Sequence, residues 1–319
     1  MQSCQMSVNK LNPRQYVAEI PIFQENLEVW FQRASDVVRK LRYGDVDIGI
    51  VGYDMFCEFA KGDGDLMVVH DALGFGRCHL ALGVPNTEKF EDVQDLQDLL
   101  SMPCWTPDAP LRVVTGYHNI AKEFFGKHKF ENVALLSADG ALEAAPQMGS
   151  ADIILDLVSS GVTMRENNLR EIEGGKILES QGVLVASRKA MLERKGCLEI
   201  VHEMIERLEA HLVAEGMFSV QANMTGNSEA EVADRLLSSS GLGGLQGPTI
   251  APVYKKGENG NAAEMGYYAV TVVVPRKELY ASVRLLRSIG GSGVLVTPLT
   301  YIFDEEPERW QKLKHQLGI

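Results

Sequence analysis

This sequence is short of positive charge, of paired cysteines and of long apolar runs. It has 31 basic residues against 43 acidic ones, a formal net charge of −12. A field of that sign repels nucleic acid and anionic bilayers, so neither is expected as a partner. Any phosphate must then be met locally, by backbone amides, helix N-termini, a few arginines or a metal ion. The five cysteines (Cys4, Cys57, Cys78, Cys104 and Cys197) are odd in number and form no C-x-x-C pair. That speaks against a disulfide framework or a zinc site and for a reducing compartment. No apolar run approaches the roughly 20 residues of a membrane span. The opening residues MQSCQMSVNKLNPRQ show neither a secretory h-region nor a transit peptide, so a soluble intracellular chain is expected. What is present is ordinary globular material: 319 residues, 45 % apolar and 23 % charged, enough for two or three domains.

Short β-branched runs alternate with helical stretches over the first two thirds. VDIGIVG (46–52), DLMVVHD (65–71), HLALGVP (79–85), LRVVTG (111–116) and ADIILDLV (151–158) read as buried strands. Runs apolar on both faces, separated by helices, predict a mixed α/β sheet covered on both sides. The proline-rich, aperiodic stretch SMPCWTPDAPLR (101–112) is expected to cross between two lobes. A single long helix is expected over 188–215, stopped by Gly216. The rest has a different rhythm. A strand at 218–224 precedes a helix starting at Ser228, with Glu231 in capping-box spacing. Strands at 248–254 and 267–274, a helix at 276–289 and a strand from 292 follow, with a Gly/Asn-rich loop KKGENGNAAEMG (255–266) between the middle two. The order βαββαβ is the ferredoxin-like, split-βαβ unit, often a small-molecule sensor.

The chemistry concentrates in residues 136–169, where an apolar strand ends in Asp156 and runs through Ser-Ser-Gly-Val-Thr into a helical start. Gly161 permits a close bend, Ser159, Ser160 and Thr163 offer hydroxyls, and the new helix offers free amides and the positive end of its dipole. Asp156 is placed to bind sugar hydroxyls or to help hold Mg²⁺. From spacing alone the segment reads equally as a phosphate cradle and as a plain helix cap. It is not a Walker loop, because no lysine follows the glycine.

ADIILDLVSSGVTMRENNLREIEGG (151–175) resembles the phosphoribosyl-pyrophosphate (PRPP) loop of the ATP phosphoribosyltransferases. DGALEAAPQMG (139–149), GDVDIGIVGYD (44–54) and DALGFGRCHLALGVP (71–85) are similar to that family too. The tail, from GLQGPTIAPVY (244–254) to RLLRSIGGSGVLVTPLTYIFDEEPERW (284–310), resembles the regulatory domain of its long, histidine-inhibited form, in its plant-like variety. Members usually begin with a strand and a Lys-Gly-Arg or Ser-Gly-Arg motif, and this chain starts after that point.

The resemblance implies an α/β, two-lobed, periplasmic-binding-protein-like core with a ferredoxin-like regulatory domain. Lobe I would take 1–107 and 181–215, lobe II 108–180, and the regulatory domain 217–319. It implies transfer of the phosphoribosyl group of PRPP to ATP in the first step of histidine biosynthesis, with Mg²⁺ as cofactor and L-histidine as inhibitor. Asp156, Ser159, Ser160, Gly161 and Thr163 would hold PRPP, with Glu143 as a further ribose contact or a solvated carboxylate. Arg77 would clamp pyrophosphate or ATP phosphates. Asp71 is expected to be structural rather than a partner of Arg77, and Asp54 to cap a helix. His70 and His79 are expected to be packed or solvent-facing. No residue is assigned as nucleophile or acid/base. Gly290, Gly291, Ser292 and Gly293 are the expected histidine loop, or else a tight connection. A homo-oligomer, dimeric within a hexamer, follows for the long form, in the plastid stroma if plant-like and otherwise in the cytoplasm. The rival readings are a solute-binding protein or an inactive regulatory homologue of the same fold.

Overall fold

The structure, a computed structural model, describes residues 1–10, 12–23, 27–60, 62–138, 140–239, 242–255 and 264–319. They form two compact units. One joins Met6–Ile205 to Glu306–Ile319, and the other joins Met1–Gln5 to Glu206–Glu305. In the larger unit a hairpin of β1 (Val17–Ile20) and β2 (Leu27–Trp30) precedes α1 (Ala34–Tyr43), β3 (Ile48–Gly52), α2 (Tyr53–Ala60) and β4 (Leu66–His70). Next come β5 (Cys78–Pro85), α3 (Leu96–Leu100), β6 (Leu111–Thr115), α4 (His118–Lys127), β7 (Val133–Ser137), β8 (Ile153–Val158) and α5 (Val162–Glu166). β9 (Leu169–Arg170), β10 (Lys176–Ser180), β11 (Gly182–Ser187), α6 (Arg188–Glu193) and α7 (Cys197–Ala214) complete its first pass. The smaller unit holds β12 (Met217–Met224), α8 (Glu229–Leu237), β13 (Thr249–Lys255), β14 (Glu264–Pro275), α9 (Leu279–Ser288) and β15 (Ser292–Pro298). A last helix, α10 (Glu308–Leu317), folds with the larger unit.

The larger unit has two principal sheets. One is mixed, in the order β10-β5-β8-β6-β7 with β9 beside β5; the other, β3-β11-β4, is antiparallel. β8 shows why its run reads as a buried strand. Ile153 and Leu155 pack on one face with Leu82, Val113 and Phe125, while Ile154 and Val158 pack on the other with Ala81, Leu142 and Met164. The period-2 alternation therefore feeds two cores, and each fully buried side chain contributes roughly 1.5–3 kcal/mol.

Among the described residues the chain passes between these two sheets twice, through 71–77 and at Gln181. The passes bond to each other: Leu73 N–H donates to the Gly182 carbonyl at 3.1 Å, and Gly182 N–H to the Phe75 carbonyl at 2.9 Å. Gly182 lets the Phe75 ring pack against the backbone, since a Cβ would come within 2.6 Å of that ring and displace it. The proline-rich stretch expected to cross does not. Trp105 is buried in the core of the mixed sheet, stacks on Phe90, and donates its indole N–H to the Leu99 carbonyl at 2.8 Å. β5 and α3, placed by the sequence reading with lobe I, likewise lie with the mixed sheet. The long helix expected at 188–215 is broken between α6 and α7, where Gly196 adopts φ +81°.

The smaller unit is the expected βαββαβ, in sheet order β13-β14-β12-β15, with Val220, Ala222, Val270, Val232 and Leu286 in its core. Ser228 caps α8, accepting the Glu231 N–H at 3.2 Å, while the Glu231 carboxylate accepts the Asn227 N–H at 2.9 Å. The reciprocal cap is thus shifted by one residue from the expected box. Most of the Gly/Asn-rich loop, 256–263, lies outside the described residues.

Candidate functional site

β6, β7 and β8 are parallel, so Thr115, Ser137 and Asp156 come to the same sheet edge. β5 is antiparallel to β8, with His79 opposite Val158, so Arg77, just before β5, lies at the end of the sheet where β8 gives way to its turn. β10 is antiparallel to β5, with Ser180 opposite Cys78, and ends there too. Ligands of open α/β sheets bind outside such carboxyl ends. One edge therefore gathers Arg77, Asp156, the Ser159–Thr163 turn and Ser180 from distant parts of the sequence.

Asp156 is half-buried on the face covered by Leu142 and Met164. It accepts the Leu157 N–H at 2.8 Å. Burial raises its carboxyl pKa, and the neighbouring charge of Glu143 adds to the rise. Ser159, Ser160 and Thr163 are exposed. Gly161, at φ +69°, is the N-cap of α5, and a Cβ on it would lie 2.9 Å from the Arg165 guanidinium. Arg165, which the sequence reading passed over, donates to the Ser160 carbonyl at 3.4 Å and adds positive charge to the turn. A basic residue two positions past a Gly-x-Thr turn was the available signal.

Arg77 is exposed, forms no ion pair among the described residues, and lines a cavity of about 290 Å³ with Tyr53, Asp71, Cys78, Glu179, Ser180 and Gln181. Asp71 does not pair with it; its carboxylate accepts Arg309 Nε at 2.6 Å. Asp54, expected to cap a helix, is the second residue of α2. Its buried carboxylate accepts Ser180 Oγ at 2.6 Å and Tyr117 Oη at 2.9 Å, and its amide donates to Ser180 Oγ at 3.0 Å. Burial, then the Asp54 charge and hydrogen bond, push the Tyr117 phenol far up, so it stays a donor. One turn on, buried Glu58 accepts the Asn119 N–H at 2.9 Å and the Ile120 N–H at 3.0 Å. An internal carboxylate thus occupies the positive end of α4. Sequence reading missed Tyr117, Ser180 and Glu58, because a single Tyr, Ser or Glu carries no spacing signal. His70 is buried and His79 pairs with Glu171 at 2.6 Å, so neither reaches the edge as a free base.

The loop 290–293 belongs to the smaller unit. Gly290 and Gly293 have φ +98° and +58°, and a Cβ on Gly291 would meet the Leu286 carbonyl at 2.6 Å. Ser292 Oγ donates to the Asn223 carbonyl at 3.3 Å.

Among the described residues no three His, Cys, Asp or Glu side chains converge as metal ligands. Asp156 and Glu143 form only an acidic pair, which fits a divalent cation delivered on a polyphosphate and keeping most of its water, rather than a resident metal.

Fold and edge together define a two-sheet α/β core suited to a phosphate-bearing small molecule, with a split-βαβ companion domain. The family model "ATP phosphoribosyltransferase" matches residues 33–210, and "HisG, C-terminal domain" matches 214–301. The chain therefore belongs to the ATP phosphoribosyltransferase family, the enzymes of the first step of histidine biosynthesis. It is 56 % identical over 319 residues to "ATP phosphoribosyltransferase 1, chloroplastic" of Arabidopsis thaliana, covering all of this chain and 77 % of the relative. "ATP phosphoribosyltransferase 2, chloroplastic" of the same plant is also 56 % identical, with 76 % of it covered. Among solved structures, "ATP phosphoribosyl transferase (HisG:HisZ) complex from Thermotoga maritima" aligns with a TM-score of 0.49 at 18 % identity, over 65 % of this chain and 90 % of that one.

Proposed function

We propose that this chain joins N1 of the ATP adenine to the anomeric carbon of PRPP, and that it does so at the shared edge of β5 and β8. The observation that carries the reading is the end of β8: the half-buried Asp156 carboxylate, then Leu157 and Val158, then an exposed, hydroxyl-rich turn into α5. In this reading Asp156, with Glu143 beside it, accepts hydrogen bonds from the ribose hydroxyls. Ser159, Ser160, Gly161, Thr163 and the first amides of α5 seat the 5′-phosphate. Arg77, which forms no ion pair among the described residues, clamps the pyrophosphate with its forked donors. The N1 lone pair forms the new bond while the C1–O bond breaks and its electrons leave on pyrophosphate. When bound with the polyphosphate, Mg²⁺ would supply positive charge to the leaving pyrophosphate, with Asp156 and Glu143 as the acidic pair near it. The chain contributes alignment, on the order of 7–11 kcal/mol when both substrates are fixed.

The smaller unit serves as the L-histidine sensor, with Gly290, Gly291, Ser292 and Gly293 in its loop. The working form is a homo-oligomer, a dimer within a hexamer. β15 supports this as a sheet-edge strand with Leu295 63 % and Val296 42 % exposed, an edge that calls for cover. The chloroplastic relatives support the plastid stroma as the compartment.

Pyrophosphate release from ATP plus PRPP, followed with and without L-histidine, tests the reading. Release that depends on both substrates and rises in PRPP requirement for Thr163→Val is expected. No release points to the solute-binding or inactive rival, and an unchanged PRPP response in Thr163→Val removes the cradle.

A further inference from the structure

Residues 306–319 follow the segment matched as the family's C-terminal domain, yet they fold with the larger unit. We propose that α10 is a strap: through Arg309 and Asp71 it positions the Arg77-bearing pass between the two sheets, and through that contact the histidine signal reaches the site. This rests on the reading given for Arg77 and for the smaller unit.

The connectivity makes the strap possible. The chain leaves the larger unit along α7, and it returns at Glu305–Glu306, directly before α10. Both connections are tied together inside the larger unit. Trp310 of α10 stacks on His202 of α7, ring centroids 4.0 Å apart and planes 17° from parallel. α10 is therefore held to α7, the helix along which the chain leaves the larger unit.

The far ends of α10 are fixed to the pass and to the second sheet. Arg309 Nε donates to Asp71 Oδ1 at 2.6 Å, and Asp71 is the residue at which the chain leaves β4 to cross. Six residues later the same pass presents Arg77, and both line the one cavity. Burial alone would raise the Asp71 carboxyl pKa, but the hydrogen bond and charge of Arg309 outweigh it and hold it low, so the pair stays charged near neutral pH. At the other end Arg188, the first residue after β11, donates to the carbonyls of Gln316 at 2.8 Å and Leu317 at 3.3 Å. Between these, Trp310, Leu313 and Leu317 are buried. The apolar anchors hold the helix in the fold, whereas the Arg309–Asp71 pair, with the Asp71 carboxylate 73 % exposed, adds little to stability, so its effect is sought in the placing of the pass. Arg309 is accordingly a positioning residue, acting through Asp71 on Arg77.

The test compares Arg309→Ala, Arg309→Lys and Asp71→Asn in the full chain, with Lys312→Ala as an α10 control, since Lys312 is exposed and far from the pass in its contacts. KM and kcat are measured for PRPP and ATP, and L-histidine is followed separately by calorimetric binding and by inhibition. Loss of the tie should raise KM for the pyrophosphate-bearing substrate roughly threefold to tenfold with kcat within about twofold. Histidine should bind as before but inhibit less, and Arg309→Lys should restore part of both, since it keeps the charge without the fork. Lys312→Ala should behave as the unaltered chain. Unchanged KM and unchanged inhibition in both Arg309→Lys and Asp71→Asn overturn the strap, even where Arg309→Ala fails to fold. An unaltered chain that takes up no histidine overturns the sensor reading instead, and Arg77→Ala with an unchanged KM overturns the Arg77 reading. In the former case the KM arm still decides whether Arg309 positions the pass.

Discussion

Two aspartates four positions apart, Asp152 just before β8 and Asp156 inside it, are treated in opposite ways. Asp152, just before the strand, accepts Lys89 Nζ at 2.8 Å, Arg112 Nε at 3.1 Å and the Arg112 amide at 3.0 Å. Burial would raise its carboxyl pKa, but the bonds from Arg112 and Lys89 outweigh it and hold it low. Asp156, within the strand, meets no cation among the described residues, and burial and Glu143 raise its carboxyl pKa. One carboxylate is a finished structural tie and the other is kept in reserve. Environments that push like groups apart in this way mark where a site lies.

The comparison can be broken first at Asp156. Asp156→Asn should lower kcat/KM by about tenfold to a hundredfold, the worth of a charged hydrogen bond to substrate, while leaving the fold intact; steady-state kinetics beside circular dichroism decide it. Asp152→Ala should do the reverse. Stripping Arg112 and Lys89 of their acceptor should cost about 1–3 kcal/mol in denaturant unfolding, with activity per folded molecule preserved. Equal losses of activity in both variants would erase the distinction.

Acid titration sharpens the same contrast. The folded pKa of Asp152 is lowered, so its stabilisation is present above the unfolded value, about 3.9, and is lost as pH falls below it. The folded pKa of Asp156 is raised, so its ionisation penalises folding once pH rises above that same value. The unaltered chain should therefore match Asp156→Asn in Tm below about pH 4 and fall behind it as pH rises. A Tm gap that shrinks with rising pH would contradict the burial of Asp156. Smaller again is Gly161→Ala, expected to cost about 1 kcal/mol for its positive φ and to crowd Arg165, with a raised PRPP requirement. Smallest is Thr163→Val, expected to stay within about 0.5 kcal/mol in stability because the side chain is exposed, the change showing only in the PRPP titration.

The strands and the turn were legible because their signals are local. Ile153 to Leu155 alternate between two cores within three residues, and Gly161 announces its bend alone. The passes between sheets were not. Ser101–Arg112 has the proline content of a connector, yet Trp105 anchors it in a core, and the true passes depend on Phe75 meeting Gly182 across more than 100 positions. The Asp54–Tyr117–Ser180 cluster was hidden for the same reason, being three ordinary residues united by tertiary contact. The tail's βαββαβ order could be read, but nothing in the periodicity of α10 told which unit would receive it.

The sequence by itself determined the principal strands, the hydroxyl-rich turn after β8 and the split-βαβ tail, since periodicity, glycine placement and capping act over a few residues. Only the tertiary structure decided that Arg77, Asp156 and Ser180 share one edge, that Asp71 belongs to Arg309, and that the last helix returns to the first unit. Those outcomes turn on strand register and on which apolar face finds a partner, and both are settled by contacts between residues far apart in the chain.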